Sequence, residues 1–143
     1  MDYTAINTLV SKAYYRGDKI GSGVLDEDTV GITVDGLVAW FIPEKDFLFD
    51  TEKISEIKLN LSRVVATEGY VDATLTNTLI AFEKKTLVVF KADELEVYVD
   101  KKLLKVFDPR LSSYKVKNAT SGVLVYEGDK LVGYVMPTRY NKQ

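Results

Sequence analysis

Asp35-Gly36 constrains the fold more than any other feature, because it separates Val30-Gly-Ile-Thr-Val34 from Leu37-Val-Ala-Trp-Phe41, two runs dominated by strand-forming residues. Asp and Gly both tolerate positive φ, which a two-residue type I′ turn demands and which suits the twist of the flanking strands. Such a turn predicts Val34 opposite Leu37, Ile32 opposite Ala39 and Val30 opposite Phe41. That face is wholly apolar and belongs in a core. Trp40 then falls on the reverse face opposite Gly31, where it covers backbone or meets a partner.

The remaining pattern reads as a single α+β domain over residues 1–143, long enough to bury a core without metal or disulfide staples. Tyr3, Ile6, Val10, Ala13 and Tyr14 recur at helical spacing, which predicts an amphipathic helix over Thr4–Arg16 ending at Gly17. A loop follows Phe47, with a helical turn starting at Thr51, and Ile57–Leu61 alternates like a half-buried strand. Thr78–Phe82 and Thr86–Phe90 bracket a turn at Glu83-Lys84-Lys85. A second helix is expected over Lys101–Phe107, capped by Asp100, stopped by Asp108-Pro109 and buried along Leu103, Val106 and Phe107. Strands at Tyr114–Lys117, Gly122–Tyr126 and Leu131–Met136 complete the chain. Helix, strands, helix, strands implies two half-units, each a helix plus antiparallel strands, with both helices on one sheet face.

The chain contains neither Cys nor His. That removes thiolate chemistry, the usual general base near neutral pH and the commonest zinc ligand. Gly21-Ser22-Gly23 follows a helix end rather than a strand and reads as a turn, not a dinucleotide fingerprint. Ser55-Glu-Ile-Lys58 leads into a strand instead of lying on a helix, so it does not make a serine nucleophile site. Asp26, Glu27 and Asp28 lack the spacing of a calcium loop. No catalytic residue, cofactor or metal is therefore expected. An acidic start and the lack of any long apolar stretch speak against a signal peptide or membrane span, and suggest the cytoplasm.

The formal net charge is −2, from 19 basic and 21 acidic side chains, but the distribution is uneven. Lys12, Arg16, Lys101, Lys102 and Lys105 occupy the polar faces of the two expected helices, with only Asp2 and Asp100 at the N-terminal ends. Acids gather elsewhere, at Asp26 to Asp28, Glu44, Asp46, Asp50, Glu52, Glu94 and Glu96. If both helices share a face, that face is basic on an acidic protein.

Two segments carry a family likeness. Val99-Asp-Lys-Lys-Leu-Leu-Lys-Val-Phe107 resembles the second helix of the last domain of a bacterial DNA sliding clamp, and Tyr134-Val-Met-Pro-Thr-Arg139 resembles its Met-Pro-Met-Arg ending. The resemblance implies a clamp-like domain that meets double-stranded DNA through Lys12, Arg16, Lys101, Lys102 and Lys105. It also implies a peptide- or subunit-binding edge at Met136, Pro137 and Arg139. Clamps of this type carry three such domains per chain, so a ring here would require homo-oligomers. Thr138 and Tyr140 depart from the apolar residues of the family's ending. A stand-alone domain of this kind is similar to small proteins of phages and other mobile elements. The function expected is a non-enzymatic DNA-associated or partner-binding accessory factor. The alternative is a protein-interaction module, or inhibitor of a host enzyme, that uses Trp40 or its acidic surface and touches no DNA.

Overall fold

The computed structural model describes residues 1–25, 28–48, 57–58 and 67–141. Asp26, Glu27, Asp50, Glu52, the helical turn expected at Thr51 and the end of the strand expected over Ile57–Leu61 lie outside them. Among the described residues there is one α-helix, α1 (Tyr3–Arg16). Ten strands follow: β1 (Ile20–Val24), β2 (Thr29–Val34), β3 (Val38–Pro43), β4 (Ile57–Lys58), β5 (Val71–Phe82), β6 (Lys85–Ala92), β7 (Leu95–Asp100), β8 (Ser112–Val116), β9 (Val123–Glu127) and β10 (Lys130–Val135). They form one sheet in the order β4-β1-β2-β3-β10-β9-β8-β5-β6-β7. All neighbours are antiparallel except the two-residue β4, which runs parallel to β1.

The expected pair of half-units is thereby overturned. Lys101–Leu104 makes a single 3-10 turn instead of the body of a second helix, so there are not two helices to share a sheet face. The segment is too short to offset the cost of nucleating an α-helix by itself. Its apolar residues are instead drawn inward separately, Val106 and Phe107 into the core and Leu103 and Leu104 against it. Phe107 lies over Gly133 of β10, where a Cβ would come within 2.7 Å of the ring.

α1 forms where its periodicity places it. Asp2 caps it by accepting from Ala5 N at 3.0 Å, and Gly17 ends it at φ 78° while Asp18 N donates to Ala13 O. Ile6, Val10 and Ala13 are fully buried against the sheet. Asn7 is buried beside them, and its side chain is satisfied on three sides. Its Nδ2 donates to Tyr3 O and Asp46 O, both at 2.9 Å, and its Oδ1 accepts from Leu48 N at 3.0 Å. One amide thus ties α1 to the chain that leaves β3.

The sheet curls strongly. β10 and β7 are five places apart in strand order, which a flat sheet at ~4.8 Å per place would separate by ~24 Å. Yet Thr138, just beyond the end of β10, donates its N–H to Tyr98 O of β7 at 2.7 Å. The chain between Val135 and Thr138 reaches at most ~10 Å, so the six strands from β10 to β7 must wrap round until their ends meet. Residues from α1, β1–β3 and β6–β10 consequently share one core. Tyr140 follows the seam and rests against Tyr98 and Phe82, with ring centroids 4.9 and 5.2 Å away.

The Asp35-Gly36 turn forms with φ 54° and 69°, but the register beyond it differs by one residue from the expected one. Val34 pairs with Val38, Ile32 with Trp40, Gly31 with Phe41 and Val30 with Ile42. Leu37 donates its N–H to Val34 O at 3.2 Å across the turn, but its carbonyl accepts from Met136 N at 2.7 Å, on the β10 side rather than the β2 side. A one-residue slip turns every side chain of β3 over. Trp40 and Ile42 therefore enter the main core, while Ala39 and Phe41 pack on the other face with Leu25, Leu131 and Tyr134.

Candidate functional site

β5 is composed mainly of Thr, Leu, Ile, Val and Ala, residues suited to extended backbone, and it is the longest strand. Its first residues pair on one side with β8, Val71 with Val116, Asp72 with Lys115 and Ala73 with Tyr114. Beyond Ala73 the two strands part, and Ser112 and Ser113 of β8 pair only with β9. On its other side β5 follows β6 to the turn, where Phe82 faces Lys85 and Glu83 takes a φ of 54°.

A bulge interrupts that second ladder. Leu75 pairs with Phe90 and Leu79 with Val88, so Thr76, Asn77 and Thr78 stand against Val89 alone. Thr76 Oγ1 replaces the missing backbone donor, bonding to Val89 O at 3.0 Å and accepting from Thr78 N at 3.3 Å. Bulges of this kind bend a strand and raise its twist. Here the bend lies where β5 diverges from β8.

The outcome is an open edge. Among the described residues, no strand pairs with the side of β5 away from β6 over Thr74–Phe82. From Ala73 to Phe82 the sequence holds no charge and no proline. Thr74, Asn77, Thr78 and Ala81 are exposed, and Leu79 is 57% exposed. Strand edges are normally guarded by lysine, proline or a covering element, and among the described residues this one is guarded by its bulge alone.

The residues expected from sequence to carry function are dispersed. Lys12 is exposed on α1, at a surface cleft of about 730 Å³ that Asn7, Lys45, Asp46 and Leu48 also line. Arg16 is held by Asp18, whose Oδ2 accepts from Nη2 at 2.7 Å and from Nε at 3.0 Å. Lys101, Lys102 and Lys105 are exposed around the 3-10 turn. The two basic segments touch at the start of α1, where Asp2 N donates to Val106 O. Lys12 lies ~15 Å further along the helix axis from that junction. No continuous helical row of cations results.

At the C-terminal edge, Met136 and Pro137 are half-buried and Arg139 is exposed. The backbone donors of Met136 and Thr138 are already engaged by Leu37 and Tyr98. Trp40 is only 3% exposed, a consequence of the shifted register, and its Nε1 has no hydrogen-bond partner among the described residues.

Tyr98 and the Asp108–Arg110 pair are shifted chiefly by specific neighbours. The Tyr98 hydroxyl donates to Glu96 Oε2 at 2.6 Å, and that bond, reinforced by burial, pushes its pKa up to about 12. The Asp108 carboxyl is held below the usual range by its hydrogen bonds with Arg110. Both belong to structural contacts, one beside the seam and the other in the turn before β8. Among the described residues, no group of acids is placed to hold a metal ion, and no helix is long and apolar enough to cross a membrane.

Comparison of the chain with protein-family models, with curated proteins and with solved structures gives no match. The site is therefore defined by its own geometry. Only the second half of β5, Thr78–Phe82, was expected from the sequence; the first half carried a strand signal too, since Val71, Ala73 and Leu75 alternate with Asp72, Thr74 and Thr76. The signal for the edge itself was the uncharged run from Ala73 to Phe82.

Proposed function

We propose that this chain is a non-enzymatic protein-interaction module that binds by strand addition along β5. The observation that carries the proposal is the uncharged edge over Thr74–Phe82, unpaired among the described residues. An extended segment laid against such an edge gains main-chain hydrogen bonds without displacing any described strand, and alternate side chains set its specificity. Leu79, lying exposed beside the edge, supplies apolar contact. The C-terminal edge serves this purpose less well, since its donors at Met136 and Thr138 are consumed internally.

A second reading, contact with duplex DNA, draws support from Lys101, Lys102 and Lys105, which are exposed and make no ion pair among the described residues. One experiment separates the two. Purified chain is used to capture partners with and without nuclease, alongside Leu79→Lys and a Lys102→Glu, Lys105→Glu double variant. Strand addition requires a nuclease-resistant partner lost with Leu79→Lys and kept by the double variant. Nuclease-sensitive, salt-dependent capture lost only with the double variant favours DNA and defeats the first reading.

A further inference from the structure

We propose that the occupant of the β5 edge is a second copy of this chain, paired antiparallel through the same edge about a two-fold axis; this rests on the strand-addition reading above. Self-pairing has a requirement that pairing with an unrelated segment lacks. Each edge residue meets its own kind or a near neighbour, so any charge near the centre opposes its like.

β5 meets that requirement. In a two-fold antiparallel pair the opposed residues share a face, so the axis passes through a residue rather than between two. Centred on Leu79, the pairing sets Leu79 against Leu79, Thr78 against Ile80 and Asn77 against Ala81. Centred on Ile80, it sets Leu79 against Ala81 and Thr78 against Phe82. Neither register opposes two like charges. Asp72 lies beyond the paired stretch, and Glu83 and Lys84 fall opposite neutral residues of the partner strand. The Leu79-centred register also covers the two Leu79 side chains that each copy alone leaves 57% exposed. The margin along β7 does not qualify, since β7 carries Glu96 and Asp100 and has its Tyr98 carbonyl engaged at the seam.

A single strand edge buries less than the ~1,600 Å² of a standard stable interface, so the pair should form and dissociate with concentration. The test is sedimentation equilibrium over a concentration series on the full chain, with hydrogen exchange read on the Asn77–Phe82 amides. The expected result is a weight-average mass rising towards twice the chain mass, with both the β6-facing and the outward amides protected in the dimer. Leu79→Thr should keep the association. Leu79→Lys and Thr78→Lys, both at exposed positions, should weaken it at least tenfold while circular dichroism stays native.

A monomer at every concentration whose outward amides exchange freely overturns self-pairing and leaves the edge open to a different protein. A monomer with all of those amides protected overturns the open edge as well. A dimer indifferent to both lysine variants overturns the proposal by placing the interface elsewhere.

Discussion

The backbone N–H of Thr138 donates to the carbonyl of Tyr98 at 2.7 Å, joining the segment after β10 to a strand five places away in sheet order. This contact and the packing of Tyr140 on Tyr98 and Phe82 hold the curled half of the sheet shut.

Replacing Thr138 with Pro removes that donor and leaves the Tyr98 carbonyl without it. The expected cost is about 1–3 kcal/mol in urea unfolding. Thr138→Ala keeps the N–H and should lie within about 0.5 kcal/mol of the parent. Equal loss from both variants would show that the side chain, not the backbone bond, closes the seam.

Gly133 sits in β10 beneath Phe107, and an added Cβ would collide with Ala39 O and lie 2.7 Å from Phe107 Cζ. Gly133→Ala should destabilise by about 1–3 kcal/mol or more, since overpacking forces backbone to move. Adding Phe107→Leu should not restore stability, because the carbonyl contact remains. Full rescue in the double variant would locate the strain in the ring alone.

Asn7 uses both ends of its amide to join α1 to the segment after β3. Asn7→Ala should cost about 1–3 kcal/mol through the unpaired carbonyls and N–H it leaves behind. Near neutral pH Asn7→Asp should cost more, because a buried carboxylate would face the carbonyls of Tyr3 and Asp46. Chemical denaturation of the two variants side by side decides the order.

Tyr98 predicts an alkaline sensitivity. Its hydrogen bond to Glu96 raises its pKa from 10.0 to about 12, so between those values the folded chain keeps a proton that the unfolded chain has released. Stability from this group is complete below pH 10 and is lost as pH rises to about 12. Urea unfolding across that window should show a shallower decline for Tyr98→Phe. An unchanged slope would assign the alkaline loss to the other buried tyrosines, such as Tyr114 and Tyr134, which burial also shifts upward.

Features set by neighbouring residues were legible in the sequence. Asp2 and Gly17 bound α1, and Asp35-Gly36 turns with both φ values positive, as those residue types allow. Gly128 turns the last hairpin at a positive φ of 63°, with Glu127 facing Lys130. Features set at a distance were not legible. Leu37 bonds its carbonyl to Met136, remote in sequence, and the register that places Trp40 rather than Phe41 in the main core goes with that contact. The helix expected over Lys101–Phe107 fails because the sheet offers Phe107 a seat on Gly133, a surface its own stretch does not encode. β7 escaped notice since its hairpin turns at Asp93, a weak turn signal beside glycine, although φ there reaches 51°. The candidate site was half legible: its lack of charge can be read directly, but the parting of β5 from β8 cannot.

The anchoring of α1 bears on the order of events during synthesis. Asp2 is tied to Val106, and the amino group of Met1 to Glu127 at 2.6 Å, so these two contacts form only once the chain through β9 has been made. Contacts that span so much sequence slow folding. Nearer contacts of α1, such as those of Asn7 with Asp46 and Leu48, can form earlier.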